Sequence, residues 1–151
     1  MKNLSELANK WMSADPKHGI KTENPLHREQ LHNLAITAPA KSRRQMFDSM
    51  EKSTVPVKHL NGERFFLLFR GTGEDGENSG IVPYSKSQKV ADRFSNKYGG
   101  ETKSHWVPES AISISINDSC NLGVTAKGID YSPEHEVIVD SSHQVINAEV
   151  K

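Results

Sequence analysis

Three short stretches of the chain hold side chains able to do chemistry. Residues 65–76 read FFLLFRGTGEDG, an apolar strand running into Gly71, Gly73 and Gly76 at G-x-G-x-x-G spacing. That spacing is a dinucleotide-binding fingerprint only where a helix starts inside the glycine loop, because the helix's first N–H groups and its dipole hold the pyrophosphate. Here the glycines lead into GENSGIVPYS, a polar, proline-bearing stretch unsuited to helix, and Glu74, Asp75 and Glu77 put negative charge where phosphates would sit. A calcium loop starting at Asp75 is excluded as well, since Lys86 occupies the position that needs a bidentate glutamate. The glycines read as a flexible surface connection.

The strand before them ends on a cation, Arg70. Beyond the loop comes Tyr84-Ser85-Lys86-Ser87, and far along the chain Glu134-His135-Glu136 enters the apolar run Val137-Ile138-Val139. Each piece alone has an ordinary explanation. Arg70 could be a solvated strand end, Ser-x-Ser a helix cap for Gln88 onward, and the two glutamates an acidic loop. On extended backbone, however, residues two apart share a face, so Ser85 aligns with Ser87 and Glu134 with Glu136. Two carboxylates that close resist joint ionisation unless cations or hydrogen-bond donors stand nearby.

The elements that must position these residues change character along the chain. In the first half, Leu4, Leu7, Ala8, Trp11 and Met12 fall on one helical face, with Asn3 or Ser5 as cap. Asn24-Pro25 resembles a cap followed by proline at the first helical position, with Leu26, Leu31, Leu34 and Ala35 as the apolar stripe and Pro39 as its end. Ser42 to Glu51 predicts a short helix burying Met46, Phe47 and Met50. In the second half, Val55–Leu60 and Arg64–Arg70 flank Asn61-Gly62, a strong hairpin signal. Tyr84–Ser87 begins another ordered segment, and Gln88–Tyr98 reads as a helix with Val90, Ala91, Phe94 and Tyr98 on one side, stopped by Gly99-Gly100. Further strands are expected around Trp106-Val107, Ala111–Ile116, Leu122–Ala126, Val137–Val139 and Val145-Ile146. Helices first and strands afterwards indicate an α+β fold rather than the alternation of a parallel sheet. The chain, 1–151, is expected to be one domain with a helical part over 1–53 and a β-rich core over 54–151.

Composition narrows the function classes. Nineteen basic and nineteen acidic residues cancel, so no global field favours nucleic acid or an anionic membrane. The lone Cys120, in the polar run Asn117–Asn121, rules out an internal disulfide, suits a reducing cytoplasm and reads as a spectator thiol. No apolar run approaches a membrane span, and the dispersed histidines, including His27 and His32, make no metal pair. The expectation is a cytoplasmic protein without a metal, with the monomer as the favoured state.

Taken in order, LFRG, YSKSQKVADRFS, WVPESAISIS and EHEVIV resemble the Arg–Ser–Glu class of mono-ADP-ribosyltransferases, which includes arginine-modifying bacterial toxins and small phage enzymes. The resemblance covers about residues 64–140. It implies N-terminal helices packed on a mostly antiparallel split β-sandwich core, and NAD⁺ bound as substrate without a Rossmann fold. It implies that Arg70 contacts the NAD⁺ phosphates, where a planar fork of donors suits phosphate oxygens. It also implies that Gly71 clamps the nicotinamide carboxamide through its backbone, that Ser85 holds the glutamate and ribose, and that Ser87 supports the strand geometry. Glu136 would stabilise the oxocarbenium-like sugar through the ribose 2′-OH. Glu134 would orient and polarise an attacking arginine, so the implied partner is a protein target carrying an acceptor arginine. For a phage-encoded or injected member the site of action would be the host-cell cytoplasm. The helices before residue 54 would cap the cleft.

Phe94, Tyr98 and Tyr131 are the aromatic candidates to flank the nicotinamide, although Phe94 shares a stripe with Val90 and Ala91 and reads first as core. Trp106 reads as a core anchor, and Trp11 belongs to the first helix's buried stripe. Two alternatives stand beside the enzyme. One is an inactive module of the same fold that binds or inhibits, against which the intact Arg70, Ser85, Glu134 and Glu136 argue. The other is a small interaction protein unrelated to NAD⁺, in which the basic cluster Lys41-Ser42-Arg43-Arg44 would meet nucleic acid or an acidic partner; such a run is more simply a solvated helix start.

Overall fold

Asn61 and Gly62 both take positive φ, 54° and 77°, the conformation of a two-residue hairpin turn whose twist matches its strands. In the computed structural model, which describes residues 4–13, 25–53, 56–71, 80–120, 136–141 and 146–147, this turn joins β1 (Val57–Leu60) to β2 (Glu63–Gly71). The remaining described strands are β3 (Ile81–Ser85), β4 (Thr102–Pro108), β5 (Ile112–Ser115), β6 (Glu136–Asp140) and β7 (Ile146–Asn147). They form a curled antiparallel sheet in the order β5-β6-β3-β2-β4-β7, with β1 also on β2. The helices are α1 (Leu4–Ser13), α2 (Pro25–Ile36), α3 (Ala40–Lys52), α4 (Gln88–Tyr98) and the single turn α5 (Ile116–Cys120). The fold is α+β, as the change of period predicts.

Alternation along β2 buries Phe66 and Leu68 on one face, where Phe66 stacks on Phe47 of α3. Leu4, Leu7 and Ala8 of α1, Leu31 and Ala35 of α2, and Met46 and Met50 of α3 join β5 and β6 in the same core. Val137, Ile138 and Val139 are fully buried, which marks β6 as a central strand covered on both sides. Residue Gly71, of opposite parity to Phe66 and Leu68, meets α4 on the other face.

Several expectations need correction. Leu34 is 45% exposed rather than part of the α2 stripe. The ordered segment expected from Tyr84 begins earlier: IVPYS forms β3, with Val82 and Tyr84 buried. On α4 the buried residues are Ala91 and Ser95, while Phe94 and Tyr98 are about half exposed and pack on each other, so Phe94 is not core. Trp106 is only half-buried, and its ring carries the Lys58 ammonium 4.4 Å above its centroid. The polar run at Cys120 falls in α5, with Asn117, Asp118 and Ser119 buried despite their polarity. The glycine positions 73 and 76, the strand expected at 122–126, Tyr131 and Glu134 lie outside the described residues, as do the side chains of Trp11, Met12 and Leu26.

Candidate active site

The site sits at a seam in the sheet. β2 and β3 share a single register pair, Phe69↔Ser85, whereas β3 and β6 pair along their whole length. Strands β5-β6-β3 and β1-β2-β4-β7 are therefore two half-sheets joined at one point. The seam explains Pro83. A proline lacks the N–H a central strand would need, but an antiparallel residue directs N–H and C=O to the same side. The Pro83 carbonyl faces β2, so its missing donor faces the unladdered seam.

Arg70 bridges that seam, its Nη1 donating to the Pro83 carbonyl at 2.8 Å. A side chain thus replaces a ladder hydrogen bond and holds the two half-sheets where they part. Beside it, the Tyr84 hydroxyl hydrogen-bonds His105 Nδ1 at 2.8 Å, and the ring meets the imidazole edge-on. Burial pushes the Tyr84 phenol above its usual pKa, while the Arg70 charge pulls it back in part.

Ser85 stands opposite Glu136 in the β3–β6 ladder, and opposite Phe69 on β2. Directly opposed antiparallel residues share a face with Cβ atoms about 5 Å apart, so the hydroxyl and the carboxylate emerge side by side. The Ser85 side chain is 6% exposed, and its Oγ accepts from Ser87 N–H at 3.0 Å. Ser87 is the N-cap of α4, its Oγ accepting from Val90 N–H at 3.3 Å. Ser-x-Ser is thus both things the sequence allowed: a strand-end hydroxyl beside an acid, and a helix cap. At the other end Gly99, with φ 75°, closes α4 in a left-handed cap.

Gly71 has a structural reason to be glycine. A Cβ there would lie 2.2 Å from the Ala91 carbonyl oxygen and 3.1 Å from Phe94 Cβ. The close approach that its bare backbone permits is to α4.

Sequence reasoning missed three features. Lys86, between the two serines, is paired to Asp118 on α5 at 2.9 Å with both side chains largely buried. His105 lies under Tyr84. Arg43, assigned to a solvated basic cluster, instead donates Nη1 to the Ala35 and Ser113 carbonyls at 2.9 and 2.8 Å and Nη2 to Ile112 at 2.7 Å. Burial lowers its pKa, with the Glu109 charge acting the other way. Ser42 accepts the Leu4 N–H, which leaves Lys41 and Arg44 as the exposed part of that cluster. A second arginine, Arg64, holds Asp48, Glu51 and Glu109 at 2.9–3.1 Å and so locks α3 to the sheet.

Among the described residues, no three His, Cys, Asp or Glu side chains are grouped to hold a metal ion, and no helix is long and apolar enough to cross a membrane. Compared with protein-family models, curated proteins and solved structures, the chain matches none significantly.

Proposed function

We propose that the chain is an NAD⁺-dependent mono-ADP-ribosyltransferase that modifies an arginine of a protein target and releases nicotinamide. The observation that carries this reading is the ladder pair Ser85↔Glu136, set beside Arg70 at the seam between two half-sheets. In this reading the seam supplies the cleft of a split sandwich, to which Arg70, Ser85 and Glu136 contribute a cation, a hydroxyl and an acid.

In this reading Arg70 binds the phosphates of NAD⁺, with the Pro83 carbonyl fixing the plane of its guanidinium. Glu136 accepts a hydrogen bond from the ribose 2′-OH, and Ser85 steadies that carboxylate. As the bond between C1′ and the pyridinium nitrogen breaks, its electron pair neutralises the nicotinamide, and positive charge develops on the sugar. The carboxylate stabilises that charge; preorganised groups of this kind are worth about 3–4 kcal/mol each. A guanidinium nitrogen of the target then bonds to C1′ and gives its proton to Glu134 or to water.

Phe94 and Tyr98 form an exposed aromatic pair beside Gly71, within reach of a nicotinamide stacked at the end of β2. The Gly71 backbone, which α4 already approaches closely, serves less as a clamp than as the place where helix and strand meet.

The test is incubation with NAD⁺ labelled in its adenosine half, with cell lysate or a small guanidine as acceptor. Label should pass to protein in a hydroxylamine-sensitive linkage, and Ser85→Ala should cut transfer at least tenfold. NAD⁺ that raises the melting temperature without label transfer or nicotinamide release would favour an inactive binding module. No effect of NAD⁺ on melting would remove the reading altogether.

A further inference from the structure

Glu136 begins the central strand of its half-sheet, and one buried carboxylate holds the last residue of β5 on one side and the residue just after β3 on the other. On the β3 side, Ser85 opposes Glu136, and the next residue, Lys86, donates Nζ to Asp118 Oδ2 at 2.9 Å. On the β5 side, Ser115 opposes Val137 and donates its hydroxyl to the same Oδ2 at 2.6 Å. Asp118 Oδ1 accepts from Ser49 of α3 at 2.9 Å. The Lys86 and Asp118 side chains are 12% and 4% exposed. Asp118 therefore spans from β5 to the β3–α4 turn across the start of β6, where Glu136 sits.

We propose that Asp118 and Lys86 are positioning residues that set the separation of Ser85 and Glu136, so that they govern turnover of bound NAD⁺ more than its binding. The inference rests on the transferase reading. The physical reason lies in the sequence of the turn. Ser85 and Ser87 belong to different elements, a strand end and a helix cap, joined by Lys86 alone. A one-residue joint has freedom in two backbone dihedrals, and its side chain is the means of fixing it. Lys86 spends its ammonium on a carboxylate that α3 and β5 already hold from other directions. The bond from Ser87 N–H to Ser85 Oγ then keeps the serine hydroxyl beside Glu136. Displacement of a catalytic group by about 1 Å costs on the order of a hundredfold in rate, so a joint of this kind acts on the chemical step.

Removing one partner leaves a buried charge unpaired, which strongly destabilises, whereas neutralising both is far better tolerated. The informative protein is therefore the double variant Lys86→Met/Asp118→Asn, compared with wild type and with Lys86→Arg, which retains the ion pair. The expected result is a folded double variant whose kcat for nicotinamide release falls at least tenfold while KM for NAD⁺ changes less than threefold, with Lys86→Arg restoring most of kcat. In parallel, hydrogen exchange should show the Ser87 amide losing protection at least tenfold while amides of α3 keep theirs. Unchanged kcat in the folded double variant, or a loss carried by KM alone, would overturn the assignment. If wild type releases no nicotinamide, the transferase reading has failed rather than the joint. The exchange measurement then decides, and an unchanged Ser87 amide overturns the positioning role independently of NAD⁺. Should the double variant not fold, the same two readouts are taken on Ser49→Ala and Ser115→Ala, which loosen Asp118 without stranding a charge; wild-type kcat and Ser87 protection in both would overturn it.

Discussion

Arg70 and Pro83 meet across the seam at 2.8 Å, guanidinium to carbonyl, where the two strands carrying them share only the neighbouring ladder pair Phe69↔Ser85. The contact ties two half-sheets together through a side chain. Arg70 follows directly in β2 on Phe69, the residue that opposes Ser85. Ser85 in turn opposes Glu136, so three residues separated by long stretches of chain are linked through adjacent strands.

The closeness of Gly71 to α4 gives the simplest prediction. Gly71→Ala puts a methyl 2.2 Å from a backbone oxygen that cannot move aside without shifting the helix. Overpacking of this type costs about 1–3 kcal/mol. Urea unfolding should show a lower midpoint with little change in slope, and NAD⁺ turnover should fall as Ser87 and α4 shift.

Arg43 is expected to be a structural residue. Arg43→Ala leaves the Ala35, Ile112 and Ser113 carbonyls without their charged donor, at about 2–3 kcal/mol of stability. Arg43→Lys should recover only part, because an ammonium lacks the planar fork that reaches three carbonyls. If Arg43→Ala melts like wild type, these hydrogen bonds contribute nothing net.

These two residues show what was legible in the sequence. Asn61-Gly62, the Ser87 cap, the Gly99 stop and the Met46-Phe47-Met50 stripe were readable because each depends on local dihedrals or on the period of one element. Arg43 was not, because its acceptors in β5 lie 69 and 70 residues away, and a basic run at a helix start looks the same whether water or buried carbonyls receive it. Asp118 was hidden likewise, in a polar run whose partner Ser49 is 69 residues distant. Leu34, Phe94 and Trp106 were misjudged because periodicity tells which residues are apolar, not which neighbour arrives to cover them. Of the candidate site, Arg70, Ser85 and Glu136 were visible as residue types in order. Their register could come only from strand pairing.

Tyr84 should leave a signature at high pH. Burial raises its folded pKa above the usual tyrosine value of about 10, more than the Arg70 charge lowers it. Over the window between the two values the folded state keeps a proton that the unfolded chain has lost. The stability this supplies is complete below pH about 10 and is lost as pH rises through the folded pKa. Urea unfolding of wild type from pH 8 to 11 should show a decline that is shallower in Tyr84→Phe. Identical slopes would show that the phenol ionises as freely folded as unfolded.

Glu134 is assigned to the acceptor rather than to NAD⁺. Glu134→Gln should lower ADP-ribose transfer to a guanidine at least tenfold while leaving most NAD⁺ hydrolysis. Equal loss of both would show that the two glutamates do not divide the work.

The central claim is that Glu136 promotes cleavage between nicotinamide and ribose. The most direct measurement is the rate of nicotinamide release from NAD⁺ by wild type and by Glu136→Gln, with melting followed in parallel. Glu136 is only half-buried at the strand's first position, so the amide should fold like wild type. The account predicts release by wild type and at least a hundredfold slower release by Glu136→Gln, equivalent to about 3 kcal/mol of lost transition-state stabilisation. Equal rates in the two folded proteins would contradict it.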